Sequence, residues 1–334
     1  MKGHLLLLNL QRIIDRFYDA KFRGVVLQVL LMLGLMAMFY IIASNTAANL
    51  ARQNVASGFD FLGRTSGFDI SQKLIAYENT STFGRAFWVG LANTLLVAAL
   101  GIVLATLLGF ALGLARLSSN WLVARLATVY VEIIRNVPLL LQLLFWYFAV
   151  LRALPMPMES HELLSGVFLN RRGFYFPSPF DGSVPHLGRF NVEGGLVIQP
   201  EFAALLVGLV VYTAAFIGEI VRSGILGVPK GQREAATALG LSPAQTLRLV
   251  VIPQALRIII PPLTNQYLNL TKNSSLAVAI GYPDLVSVFS GTVLNLSNQA
   301  VEVILVTMAV YLTISLLTSL AMNTINARMA LVER

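Results

Sequence analysis

The chain has 334 residues, 56% of them hydrophobic and only 12% charged, against about 25% charge in a soluble domain. That composition places it among integral membrane proteins and excludes an ordinary soluble domain. The formal charge of +8 does not point to nucleic acid, because the basic residues are scattered between apolar stretches rather than gathered on one face. The absence of cysteine excludes a disulfide framework and any Cys-based metal site or nucleophile, and His4, His161 and His186 lack ligand spacing.

In chain order, residues 1–24 interleave basic and apolar residues and are expected to lie along the inner membrane surface. A helix needs roughly 20 mostly apolar residues to cross a bilayer, and six stretches qualify: 25–43, 88–114, 123–152, 202–226, 256–283 and 301–322. The first has too long an apolar core for a signal peptide and reads as a retained anchor. Polar segments 44–87 and 153–201 fall on one side, 227–255 and the tail 326–334 on the other. Basic residues before the first span (Lys2 to Arg23), at Arg116 and Arg125, from Arg222 to Arg257, and at Arg328 and Arg334 outnumber those on the opposite side. The richer side is therefore expected to be cytoplasmic, with both termini there. Segments 44–87 and 153–201 read either as solvated connectors with some membrane-surface helix or as a docking surface for an external partner.

The stretch "REAATALGLSPAQTLRLVVIPQ" (233–254) is a polar interruption between apolar spans. Glu234, Ala235 and Ala236 are good helix formers, Gly240 suits a left-handed helix end, and Ser242 with Pro243 and Gln245 has the form of a capping box. Two short helices with a sharp corner follow, with Pro253 expected to break the second just before the membrane. The small side chains of Ala235 and Ala236 would let another surface approach closely.

Glu234-Ala235-Ala236, three residues, Gly240, nine residues, then Val250-x-Ile252-Pro253 resembles the EAA signature of ABC importer permeases, with Val250 and Ile252 replacing the usual Ile and Leu. The segments 129–148, 212–225 and 251–285 look like the polar amino acid permease family, and the resemblance covers roughly 88–325. The extra N-terminal span and enlarged loop 153–201 resemble the general L-amino acid (Aap/Bzt-type) branch. The resemblance implies an all-α membrane protein, a type I importer core of five helices plus one, in a bacterial inner membrane. It implies a homologous permease partner in a heterodimer, two ATPase subunits that carry ATP and Mg, and a periplasmic amino acid-binding protein. Membrane lipid surrounds the chain, which itself binds no cofactor or metal. Glu234, Ala235, Ala236, Gly240 and Pro253 would form the coupling site to the ATPase. No G-x-x-x-x-G-K-[ST] phosphate loop is present, so ATP hydrolysis is assigned to a separate subunit, and this chain is not an enzyme.

Ionisable residues at membrane depth are functional candidates. Glu132, Arg135 and Asn136 share one helix face, followed by Pro138. Asn265, Asn269 and Lys272 line another, extended by Asn273. For a zwitterionic amino acid, Arg135 offers a bidentate fork to the carboxylate, Lys272 a second cation, and Asn136, Asn265 and Asn269 hydrogen bonds. Glu132 either holds the amino group or pairs structurally with Arg135. Lys272 either meets substrate or pairs with a carbonyl or Asp284. Glu219, beside Arg222, reads as structural. The alternative is an ion-gradient-driven secondary transporter, which predicts matching broken helices in two halves; a membrane enzyme would need a nucleophile or metal constellation, and the sequence shows none.

Overall fold

The computed structural model describes residues 19–52 and 58–329. Residues 1–18 of the expected surface segment 1–24 lie outside them, and 20–24 belong to the first helix. The chain divides into two units, Met1–Gly58 and Phe59–Arg334. In the first, a single helix α1 (Ala20–Arg52) overruns the expected 25–43 at both ends. Within its span Ala20–Thr46 an 18-residue window reaches a mean hydropathy of 2.5 and contains no buried residue. A helix that is apolar all round is a lipid-facing helix.

The second unit begins with a 3-10 turn, Asp60–Gly63. Residues 59–82 are not a solvated connector. Phe61, Ile70 and Tyr77 are buried in one cluster with Phe83, Leu285 and Phe289. Thr82 then caps α2 (Phe83–Ala115) by accepting the Arg85 N–H at 3.2 Å. Asn120 likewise caps α3 (Trp121–Asn136).

The expected span 123–152 is not one straight helix: α3 and α4 (Leu139–Leu151) meet at 105°. Pro138 forces Val137 into an extended conformation, φ −101° and ψ 129°. The carbonyls freed at the break are taken up by the buried Gln142, whose Nε2 donates to Ile134 O at 2.9 Å and Val137 O at 3.0 Å. Counting that pair as one, the described residues hold six helices long and apolar enough to cross a membrane; otherwise they hold five.

The insertion 153–201 is the departure from an all-α chain. Strands β1 (His161–Leu164), β2 (Val167–Asn170), β3 (Gly173–Phe176) and β6 (Leu196–Ile198) form an antiparallel sheet in the order β1-β2-β3-β6. Strands β4 (His186–Leu187) and β5 (Val192–Glu193) pair separately. Phe168, Tyr175 and Val192 give the insertion its own small core. Backbone groups outside helices still need partners; here the strands supply them together with side chains such as Glu162, Asn170 and Ser183, which accept the N–H groups of Gly166, Arg172 and Gly195.

Strand β6 leads into α5 (Pro200–Leu226), which starts with proline in its first turn. Helix α5 packs along α2 at very short range. A Cβ added to Gly109 would stand 2.5 Å from Ile217 Cβ, and one on Gly113 2.6 Å from Val221 Cβ. Small residues at helical spacing replace the hydrophobic effect as the means of close association in lipid. After α6 (Lys230–Ala238), helix α7 runs from Pro243 to Ile280. A short apolar helix α8 (Val286–Ser297) and the final span α9 (Ala300–Met329) complete the unit. Buried Asn93 ties α2 to two separate segments, donating to Gln72 O and Pro283 O at 2.8 Å each.

Candidate coupling and translocation sites

At the corner, α6 ends in the way its sequence dictates. Gly240 has φ +79°; its N–H donates to Thr237 O at 2.9 Å, and Leu241 N–H donates to Ala236 O at 3.1 Å. That pair of bonds is a Schellman ending. Ser242 and Gln245 then form the reciprocal capping box at the head of α7.

Two expectations about the corner need correction. Pro253 does not break α7. The wide turn Leu247–Val251, in which Ile252 N–H reaches back to Leu247 O, precedes it. This widening moves the carbonyls that a proline ring would strike in a regular helix. Ala236 does not offer itself to another surface either: it is only 4% exposed, on a helix that packs against the start of α7. Glu234 and Ala235 are exposed, and Leu239 is 83% exposed. Gln254 donates to Gln232 at 3.2 Å, and Arg233 to Ile225 O at 3.3 Å, fixing α6 to the feet of α7 and α5.

At mid-span, a cavity of about 270 Å³ lies between α5 and α7, lined by Tyr212, Thr213, Phe216, Gln266, Asn269 and Asn273. The Arg135 guanidinium stands over the Phe216 ring, 5.1 Å from its centroid, a cation–π contact. Tyr130 fixes α3 beside α5 by donating to Val211 O at 3.0 Å. The structure therefore brings Arg135 and Asn269 to one neighbourhood. Asn265 is exposed, and Lys272 lines a different groove of about 390 Å³ with Ser275, Val286, Met308, Tyr311, Leu312 and Ser315.

The polar stripe on α7 that faces this cavity is 266/269/273, turned about 60° from 265/269/272 at 100° per residue. Gln266 falls outside the expected stripe because it follows Asn265 directly and so points about 100° away from it around the helix; Tyr212 on the neighbouring span is the available signal.

Glu132, Arg135 and Asn136 are exposed on the chain taken alone, and Asn136 donates to Glu132 O at 2.6 Å. The ion pairs among the described residues are Lys73–Asp69, Arg116–Glu219 and Arg222–Glu219. Arg135 is thus not locked to Glu132, nor Lys272 to Asp284. The buried Asp284 instead accepts Ser287 N–H at 2.8 Å and the Tyr311 hydroxyl at 3.4 Å. Glu219 is structural as expected, bridging α2 and α5 through Arg116. Among the described residues no group of three His, Asp or Glu side chains could hold a metal.

Apolar helices around a polar mid-span cavity, with a structured corner continuous with one cavity-lining helix, define a membrane permease subunit. Residues 105–331 match the family described as binding-protein-dependent transport system inner membrane component, and the chain belongs to that family. The general L-amino acid transport system permease protein AapQ of Rhizobium johnstonii is 48% identical over 95% of this chain and 94% of that protein. The glutamate/glutamine/aspartate/asparagine transport system permease protein BztB of Rhodobacter capsulatus is 36% identical over 95% and 96%. A solved chain described as "Crystal structure of an amino acid ABC transporter with histidines" superposes with a TM-score of 0.56 at 26% identity, over 74% of this chain and 95% of that one. The helical core is thus that of a type I importer permease, with a β-sheet inserted. None of these comparisons supports an ion-gradient-driven transporter.

Proposed function

We propose that the chain is one permease subunit of an ATP-driven amino acid importer in a bacterial inner membrane. The α6–α7 corner and both termini face the cytoplasm, and the sheet faces the binding protein. The observation that carries the reading is continuity. Helix α7 runs unbroken from the corner cap at Ser242 past Asn269, about 40 Å at 1.5 Å per residue. A displacement of α6 by a partner ATPase is delivered to the cavity wall along this one continuous helix.

The amino acid supply in this reading rests on the printed names of the relatives and on the cavity's chemistry. Arg135 presents a fork for a carboxylate, while Asn269, Gln266 and Asn273 offer neutral donors and acceptors. Exposed ionisable groups at membrane depth require a partner or a water-filled path, which supports a second, homologous permease against the Glu132–Asn136 face. A heterodimer follows from the resemblance to the general L-amino acid branch. Two ATPase copies would bind ATP and Mg, and their closure would drive alternating access.

The test is a mild-detergent pull-down of the chain expressed with its native neighbours, followed by an ATPase assay in nanodiscs. A co-purifying ATPase stimulated by a binding protein with its amino acid is the expected result. A chain that purifies alone and moves substrate on an ion gradient overturns the reading.

A further inference from the structure

At the sheet-bearing end, separate from the mid-span cavity, lies a larger one of about 620 Å³. Its walls come from four sources: the end of α4 with Tyr147 and Arg152, the β2–β3 turn with Arg171 and Arg172, the start of α5 with Glu201, and the segments at Ser71 and Gly281. The volume falls within the range of small-molecule sites. The walls are tied together rather than merely adjacent. Gln199 donates to Ser71 O at 2.8 Å, and the Tyr147 hydroxyl donates to Glu201 at 2.8 Å.

The charge in this cavity is unbalanced. Arg171 and Arg172 are the two residues between the paired positions Asn170 and Gly173, so a tight turn holds two like charges side by side. Arg152 joins them, placed over the rings of Tyr147 and Phe148 at 5.7 and 5.8 Å. The single carboxylate in the lining is Glu201, and no ion pair among the described residues engages any of the three arginines. Three guanidiniums around one carboxylate leave a surplus of positive charge in a concave space, which concentrates anionic ligands.

We propose that this cavity is an outer binding site for an amino acid, distinct from the mid-span cavity, in which the arginines hold carboxylate and Glu201 receives the ammonium group, with acidic amino acids favoured over basic ones. The proposal rests on the importer reading above. Guanidinium matches carboxylate by paired, charge-assisted hydrogen bonds, and a second carboxylate on the ligand meets the surplus charge. Helix α5 connects the two sites: Glu201 lines the outer cavity and Tyr212 the mid-span one, about 16 Å apart along the helix. A ligand released at the sheet would thus wait at the head of the helix that forms the inner wall.

The test uses the assembled transporter in nanodiscs without its binding protein. Equilibrium binding of tritiated L-glutamate, L-glutamine and L-lysine is compared for wild type, the double variant Arg171→Gln/Arg172→Gln, the charge-retaining Arg171→Lys/Arg172→Lys, and Glu201→Gln. These changes spare the backbone, whose Arg171 N–H donates to Pro155 O and Arg172 N–H to the Asn170 side chain. Glutamate should bind at least tenfold more tightly than lysine. The double Gln variant should lose about tenfold or more in glutamate affinity, the worth of a charge-assisted hydrogen bond, and the Lys variant should recover part of it. Glu201→Gln should weaken glutamine binding.

Unchanged affinity in the Gln variants, with ATP-driven uptake intact, overturns the outer site and leaves the importer reading standing. Unchanged amino acid affinity with a raised requirement for binding protein in ATPase stimulation also overturns it, assigning the arginines to protein docking. No ATP-driven uptake of any of the three by the wild-type complex sinks the importer reading and the site with it.

Discussion

The corner at 230–254 and the insertion at 153–201 are both polar interruptions of an apolar chain, yet they are built by opposite means. The corner is made of contacts between near neighbours in sequence. Gly240 closes α6 onto Thr237, and Ser242 and Gln245 cap α7 three residues apart. The insertion is made of pairings across strands, ending in the β3–β6 contact of Phe174 with Ile198. Local contacts can be read from a short window of sequence; strand pairings cannot, because register depends on residues far along the chain. The corner is continuous with a spanning helix, whereas the insertion has its own core of Phe168, Tyr175 and Val192. Damage to the first should therefore reach the membrane, and damage to the second should stay local.

The largest expected effect comes from Ala236→Glu. This places a carboxylate at a position 4% exposed, on the helix packed against the start of α7. Burying an unpaired charge strongly disfavours the native packing, so α6 should detach from α7 and coupled uptake should be abolished. The chain should still insert and pair, as measured by co-purification of the second permease. Normal ATP-coupled uptake in this variant would show that α6 does not act through its seat on α7.

Phe168→Ala tests the other half of the comparison. Phe168 is buried in the insertion core, and truncating a buried phenylalanine costs about 3–5 kcal/mol, enough to unfold a small sheet. Limited proteolysis should cut within 161–198 while the spans stay protected and the complex stays assembled. Loss of the whole complex would mean that the insertion and the spans fold as one unit.

Gly240→Ala should have a smaller effect than either. At φ +79° a Cβ costs about 1–2 kcal/mol, and nothing lies within 4 Å of where it would sit. The corner should remain but fray, with ATPase stimulation reduced several-fold rather than lost. Hydrogen exchange at Leu241, whose N–H closes the helix end, is the direct measure. Unaltered exchange there would remove the left-handed residue from the argument.

The same contrast explains what could be foreseen. The long apolar stretches, the left-handed Gly240 and the capping box follow from periodicity and near-neighbour chemistry. The bend between α3 and α4 was half legible. Pro138 marks it, but the turn of 105° depends on Gln142 satisfying carbonyls five and eight residues back, which no proline rule supplies. The inward face of Ala236 depends on where α7 returns, so its small size was misread as a landing surface. On α7, the residues lining the cavity are selected by the position of α5, since Gln266 and Asn273 lie opposite Tyr212 and Phe216. A stripe drawn on one helix cannot register that rotation. The strands of the insertion are four residues or shorter, too short for alternation to declare itself against turn-rich surroundings.

The smallest expected effect is a difference in pH response. In the insertion, hydrogen bonds from the Ser178 hydroxyl and from the Ser183 N–H and hydroxyl hold the Asp181 carboxyl down at about 2, below the ordinary value of about 3.9. A carboxyl lowered on folding stabilises the native turn fully above its unfolded value, and that contribution is lost as pH falls through about 4 towards 2. The corner's capping bonds join neutral side chains, Ser242 and Gln245, and have no such dependence. Amide protection in β2 and β3, corrected for intrinsic exchange, should therefore be equal at pH 7 and pH 5 and slightly lower at pH 3, while protection at Gln245 stays constant. Asp181→Asn should remove the decline between pH 5 and pH 3. A fall already present between pH 7 and pH 5 would assign the response to another group and detach the turn chemistry at 178–183 from the stability of the sheet.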